Sequence, residues 1–483
     1  MTSTTLQPKA VFDCFAQINQ IPRPSNKEQK MGAFLVDFGR RLGLDTEQDA
    51  VGNVIIRKPA TPGLENLKVT VLQSHMDMVC EKVAGLDFDF ERDPIQTYID
   101  GEWMRAKGTT LGADDGIGVA MQMAILQDDT IEHGPLECLF TVCEEEGLSG
   151  AMGIEPGFMK ADYLINLDSE DEGLIFVSCA GGATTKITFH TKMEDAPQDA
   201  FFFKVQISGL TGGHSGDDID KKRANANKLL VRLLAAMEQY GLRIADIQAG
   251  GLHNAIPRDG FALCCVPQQH KEDVRILVNQ MTAEFEEEFS ATEPNLKVVL
   301  ESAESAAKVI DLSTAHRLIT ALVSVPNGVL AMDQEIPNFV QTSSNLASIH
   351  LEGSDLNIVT SQRSNLMSAR HNASQMISGV FTLAGADVEV GDGYPGWKLN
   401  PQSPLLSITV ESYKRIFGRD PEIRAIHAGL ECGLFSLKYP NVDMVSFGPT
   451  LRGVHSPDER LLISTVQMVW DHLLEVLKNI PAK

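Results

Sequence analysis

Lys68-Val-Thr-Val-Leu-Gln-Ser-His75-Met-Asp77 is the stretch on which the reading of this chain turns. Its apolar, β-branched run Lys68–Gln73 predicts a strand, and that strand runs out onto an imidazole and a carboxylate. Two later runs repeat the plan: Leu136–Cys143 leads into Glu144-Glu145-Glu146, and Tyr163–Asn166 leads into Leu167-Asp168. Between them, Gly116 to Leu126 predicts a helix whose small residues allow close packing on a sheet. Upstream, helices are expected over Ala10–Ile18 and Glu28–Leu42, with a strand at Asn53–Arg57. Strands alternating with helices predict an α/β domain with a mostly parallel sheet flanked by helices. In such sheets ligand sites gather at the carboxyl ends of the strands, where these His, Asp and Glu residues fall.

Working outward, the pattern changes after Gly181-Gly182. From there to Trp397 it becomes strand, long helix, paired strands, helix, strand, and then a similar set again. The predicted pieces include Phe201–Ser208, a helix from about Asp220 to Tyr240, strands Ser343–Leu351 and Asn357–Gln362, and a helix Ala369–Ala384. This predicts an inserted α+β lid domain over 184–397, possible as two ferredoxin-like halves. After it the chain returns to helices and a strand, Val442–Phe447, that leads toward His455. If His455 joins the earlier residues, the catalytic di-metal domain is discontinuous, comprising 1–183 and 398–483.

Bulk properties exclude several classes. The 483 residues exceed what one core usually serves, and 43% hydrophobic with 22% charged residues is an ordinary globular balance. A formal charge of −24, from 65 acidic against 41 basic residues, argues against nucleic acid or anionic membrane as partner. No apolar run is long enough to span a bilayer, and the start, Met1 to Lys9, lacks the pattern of a secretory signal. The eight cysteines show no framework spacing and no Cys-x-x-Cys, so reduced thiols and a cytoplasmic location are expected.

Five stretches then supply metal-type side chains: His75 and Asp77, Asp114-Asp115, Glu144-Glu145, Asp168, and His455. Singly, each has an ordinary explanation. Asp114 or Asp115 suits a helix N-cap, and three consecutive glutamates suit a helix's first turn. Together they provide two imidazoles and at least three carboxylates, the ligand set of a carboxylate-bridged pair of divalent metals that activates water for hydrolysis. Asp77 suits the carboxylate that fixes the His75 tautomer. Asp114 is the choice for the bridge, Glu145 for a ligand and Glu144 for a free general base. His214, in Gly209-Leu-Thr-Gly-Gly-His-Ser-Gly216, is positioned to stabilise an oxyanion from a glycine loop.

Ser74-His75-Met-Asp77, Gly112-Ala-Asp114-Asp-Gly, Glu144-Glu145-x-Gly147, Gly212-Gly-His214-Ser-Gly216 and His455-Ser-Pro resemble the di-zinc family of aminoacylases, carboxypeptidases and dipeptidases. Gly108-Thr-Thr-Leu-Gly-Ala-Asp114, Cys179-Ala-Gly-Gly182, His253-Asn-Ala-Ile-Pro-Arg258 and His427-Ala-Gly-Leu-Glu-Cys-Gly433 extend the likeness to a dipeptidase branch. The resemblance implies two divalent ions, zinc expected and manganese or cobalt as alternatives. One would take His75 and Asp168, the other Glu145 and His455, with Asp114 between them and Glu144 deprotonating the bridging water. It implies that Asn254 and Arg363 hold the substrate's C-terminal carboxylate. The implied substrates are small dipeptides, including those ending in histidine and β-alanyl-histidine, acted on by a monomer or homodimer. N-acyl amino acid deacylation, tripeptide cleavage and a non-catalytic metal- or peptide-binding role are the rival readings. Cys143 departs from the family, which usually has Asp there; it would lie just outside the ligands and removes none of them.

Overall fold

The computed structural model describes residues 6–483. Met1–Thr5, the start of the stretch read above for a secretory signal, lie outside the described residues. The chain forms two compact units. The first comprises 1–178, 397–425 and 430–483; the second comprises 179–396 and 426–429.

The first unit is built on an eight-stranded mixed sheet. At its centre Leu136–Thr141, Thr70–His75, Tyr163–Asn166 and Asp443–Ser446 lie side by side and parallel. Antiparallel strands flank them: Val54–Lys58 and Asp45–Gln48 on one margin, Leu174–Cys179 on the other. Every residue of Thr70–His75, Leu136–Thr141 and Tyr163–Asn166 is buried, as parallel strands covered on both faces require.

Helix Ala113–Gln127 is apolar all round and buried from Gly116 to Leu126, so it serves as a core element. Gly118 explains how closely it lies on the sheet: a Cβ there would strike Ser74 Oγ and Asp115 Oδ1. Helices Lys9–Ile18, Gln29–Arg41, Pro404–Phe417 and Ile463–Lys478 contribute Phe12, Phe15, Leu35, Leu405, Val469 and Leu473 to the unit's core, and the shorter helices Ser149–Gly153 and Glu431–Lys438 complete the unit. The sequence reading did not foresee a second, four-stranded antiparallel sheet. It consists of Thr97–Asp100, Trp103–Ala106, Leu451–Arg452 and Arg460–Leu462. It matters because its last pairing encloses the loop that carries His455.

The second unit holds a nine-stranded sheet built from two βαββαβ arrays, four strands each, with Gly328–Met332 as a ninth strand paired to Val340–Glu352. In the first, Ala200–Ser208, Arg243–Gly250, Gly260–Pro267 and Lys297–Ser302 alternate with helices Ala226–Met237 and Lys271–Glu288. In the second, Gly181–His190, Val340–Glu352, Asp355–Ser364 and Asp387–Val390 alternate with helices Leu312–Ser324 and Met367–Leu383. The first array is inserted between the opening strand and first helix of the second. Pairing of Arg243–Gly250 with Val340–Glu352 fuses them edge to edge. One expected helix is shorter than its apolar pattern. Ile219–Lys221 forms a 3-10 turn, and the α-helix begins only at Ala226, where the Asn225 side chain accepts the Lys228 N–H as its cap.

None of the eight cysteines is in a disulfide. Among the described residues no helix is long and apolar enough to cross a membrane.

Candidate active site

Three neighbouring parallel strands end at one edge of the first unit's sheet. His75 is the last residue of its strand and pairs with Thr141, the last residue of the next. Three residues on from Thr141 come Glu144 and then Glu145. Asn166 ends the third strand, and Asp168 lies two residues beyond. Asp114 enters from the start of helix Ala113–Gln127, where it and Asp115 have non-helical backbone angles. His455, with φ 59°, comes from the loop between Leu451–Arg452 and Arg460–Leu462.

These side chains converge, and Asp114 stands at the centre. Its Oδ1 lies 3.1 Å from His75 Nε2 and its Oδ2 lies 3.2 Å from His455 Nε2. Asp168 Oδ1 is 3.4 Å from His75 Nε2, and Glu145 Oε2 is 3.0 Å from His455 Nε2. Potential donor atoms of His75, Asp114 and Asp168 all lie within 4.8 Å of one another, as do those of Asp114, Glu145 and His455. Glu144 groups in the same way only with His75 and Glu145. Asp115 belongs to none of these donor groups and accepts the Gly118 N–H at 3.2 Å. The two aspartates thus divide the tasks of helix cap and site carboxylate.

Burial pushes the Asp168 carboxyl up to about 7 against the pull of His75, and burial raises Glu144 well above the usual carboxylate range. Asp114 is held low: burial would raise it, but His455 and His75 prevail. Glu145 Oε1 is buried without a hydrogen-bond partner. Imidazole nitrogens and carboxylate oxygens in this number suit zinc, manganese or cobalt, and the residues present fit a pair of divalent ions.

Asp77 is fully buried and does more than face His75, whose Nδ1 is 3.3 Å from Asp77 Oδ1 without the alignment of a hydrogen bond. It accepts the backbone N–H of Glu144 at 3.0 Å, that of Glu145 at 3.3 Å, and the Ser25 hydroxyl at 2.8 Å. One carboxylate therefore holds the glutamate pair while facing the histidine. Cys143 donates its thiol to Asn26 Oδ1 at 3.2 Å and belongs to none of the donor groups.

His214, Asn254 and Arg363 lie in the second unit. His214 Nδ1 accepts the Asp217 N–H at 3.2 Å, and burial, followed by the Arg363 charge, lowers the imidazole to about 4. It is neutral at pH 7. Arg363 Nη2 is hydrogen-bonded to His214 Nε2 at 3.3 Å. Arg363 is 7% exposed, forms no ion pair among the described residues, and has a buried Nε without a partner. The Asn254 side chain is exposed, and its backbone carbonyl accepts the Ser215 N–H at 2.8 Å.

The profile of Peptidase family M20/M25/M40 matches residues 71–479. The chain belongs to this peptidase family and is a peptide-bond hydrolase. It is 43% identical to the cytosol non-specific dipeptidase of Escherichia coli over 479 residues, 99% of each chain. It is 42% identical to the aminoacylhistidine dipeptidase of Vibrio alginolyticus, whose crystal structure superposes with a TM-score of 0.92 over 100% of this chain and 99% of that one. The aminopeptidase PepT of Bacillus cereus, at 18% identity and TM-score 0.60 over 98% of this chain and 99% of that one, shares the fold alone.

In this M20/M25/M40 peptidase the structure reveals supporting residues that the sequence reading missed. Glu459, 2% exposed, accepts four consecutive backbone N–H groups: Leu111 at 2.7 Å, Gly112 at 3.0 Å, Ala113 at 2.8 Å and Asp114 at 3.3 Å. Buried Arg23 donates to the carbonyls of Gly112 at 2.8 Å and Asp77 at 3.3 Å. Because Glu459 closes the loop of His455, it ties that loop to the segment presenting Asp114. Beneath the site, a buried row runs across the sheet. Ser446 donates to Asn166, Asn166 to Gln73 Oε1, and Gln73 and Thr141 both donate to Glu431 Oε2. Only Glu431 lay in a motif noted beforehand; the others read as ordinary polar residues within strands.

Proposed function

We propose that this peptidase is a two-metal dipeptidase, cytoplasmic in location, cleaving dipeptides that include Xaa-His and β-alanyl-histidine. The observation that carries the reading is the division of Asp114, whose two oxygens face two different imidazoles at 3.1 and 3.2 Å. A carboxylate so placed can be shared by two cations, the first taking His75 and Asp168 and the second Glu145 and His455. Bound divalent ions, zinc first among the candidates, would acidify water and polarise the scissile carbonyl.

The remaining chemistry belongs to the side chains. Glu144, raised by burial above the usual carboxylate range, takes the proton of the attacking water and passes it to the leaving amine. Asp77 holds Glu144 in place through its backbone N–H. His214 stabilises the oxyanion, and Arg363 pairs with the substrate's C-terminal carboxylate, assisted by Asn254. On this reading the first unit is the catalytic domain and the second the lid. The printed names of the two full-length relatives, a non-specific dipeptidase and an aminoacylhistidine dipeptidase, support the substrate class and leave its breadth to experiment.

Metal-stripped protein should be assayed on β-Ala-His, Gly-His, Leu-Leu, a tripeptide and an N-acetyl amino acid, with Zn²⁺, Mn²⁺ or Co²⁺ restored in turn. Metal-dependent cleavage confined to the dipeptides is expected. Cleavage of only the tripeptide or the acetyl compound would refute the substrate assignment.

A further inference from the structure

We infer that Tyr394 is a positioning residue for substrate selection: it fixes the Arg363 fork so that the protein prefers peptides with a free C-terminal carboxylate. The inference rests on the role of Arg363 proposed above. Every contact it uses lies within the second unit.

The Tyr394 hydroxyl accepts from Arg363 Nη1 at 3.0 Å. A neutral phenol adds no counter-charge to the guanidinium while defining its orientation. With Nη2 hydrogen-bonded to His214 Nε2, the Nε–H and one N–H on each terminal nitrogen are left for an incoming anion. A buried guanidinium without a carboxylate partner is costly unless a ligand supplies the counter-charge.

The surrounding chain is shaped to hold this one phenol. Gly182 is the direct cross-strand partner of Arg363. Side chains at opposed positions share a face of the sheet, so the missing side chain at Gly182 leaves the space beside Arg363 that the Tyr394 ring occupies. A Cβ on Gly182 would meet Tyr394 Cζ and the hydroxyl at 2.8 Å; one on Gly429 would meet Cε2 at 2.8 Å. The tyrosine backbone is fixed as well. Its N–H donates to Gly182 O at 2.9 Å, and its carbonyl accepts the Gly182 N–H at 3.1 Å and the guanidinium of buried Arg370. The Cys179-Ala-Gly-Gly182 and His427-Ala-Gly429 motifs, otherwise without a role, thus form two walls around one ring.

The test is Tyr394→Phe, which keeps the ring and removes the hydroxyl. Steady-state kinetics would compare a dipeptide with its C-terminal amide. Loss of one hydrogen bond to a charged group corresponds to about a tenfold rise in KM for the free acid, with kcat within about twofold. The amide's kcat/KM should change little, so the acid-over-amide preference contracts by about the same factor. Gly182→Ala, which presses on the ring, should reproduce the contraction. Equal losses for acid and amide would show a merely structural residue and overturn the inference, as would unchanged kinetics. Arg363→Met separates the two levels. If it raises KM for the acid and Tyr394→Phe does not, only the present inference fails. If it leaves that KM unchanged, the role of Arg363 fails and this inference with it.

Discussion

Replacing Glu459 by Gln should loosen the metal centre without touching a proposed ligand. In the wild-type protein, Oε2 accepts the N–H groups of Leu111 and Gly112, and Oε1 those of Ala113 and Asp114. Glutamine can satisfy one pair only and turns an NH₂ donor toward the other. Two buried N–H groups left unpaired cost about 1–3 kcal/mol each, and the loss of negative charge beside buried Arg23 adds to this. A total of about 3–6 kcal/mol falls within the range a stable domain can bear, so folded protein with a lower melting temperature is expected. The orientation least costly for glutamine leaves the longer pair, Ala113 and Asp114, unsatisfied, and Asp114 then loses its anchor. Residues that orient ligands are typically worth about 10–100-fold in metal affinity. Chelator competition on purified protein, alongside thermal melts of the metal-free form, measures both quantities. A lower melting temperature with unchanged metal affinity would refute the argument that Glu459 positions Asp114. Unchanged values of both would show that the four hydrogen bonds carry no weight.

Glu144→Ala should lower kcat by about 10²–10⁴-fold while metal content stays at the wild-type level, read by elemental analysis of dialysed protein. Loss of metal together with activity would instead make Glu144 a ligand. His472 is 3% exposed, with Nε2 2.8 Å from the Thr409 carbonyl, and burial lowers it from 6.5 to about 4. A depressed histidine binds its proton in the unfolded chain first, so its contribution is intact above pH 6.5 and fades as pH falls toward 4. The wild-type protein should lose about 2 kcal/mol from this group between pH 7 and pH 5, and His472→Gln should lose correspondingly less on the same denaturant curves. Gly118→Ala should destabilise the first unit by about 1–3 kcal/mol through overpacking against Ser74 and Asp115; an unchanged melting temperature would contradict the close helix–sheet contact.

Much of this molecule is written locally. A β-branched run that ends on His75, another on Glu144 and a third on Asp168 each announce a strand and the chemistry at its tip, because strand propensity and side-chain type are properties of short segments. Peptide order also carries the family motifs, which is why a metal site and a hydrolytic reaction could be expected from residue types alone. Other features depend on partners far away in the chain. Glu459 follows Ser-Pro-Asp and reads as a loop acid; what makes it a clamp is four N–H groups more than three hundred residues earlier. The same holds for Gln73, Thr141, Asn166 and Ser446, polar residues in apolar strands whose hydrogen bonds exist only once strand order is set. The helix expected from Asp220 begins at Ala226 because Asn225 caps it there, a choice between competing local bonds that periodicity does not resolve. Gly182 is a glycine like many others until register places it opposite Arg363. Sequence thus determined which chemical groups this protein has and on what elements they stand. Tertiary structure decided which backbone donors and cross-strand neighbours hold those groups still, since burial and register are properties of the assembled sheet.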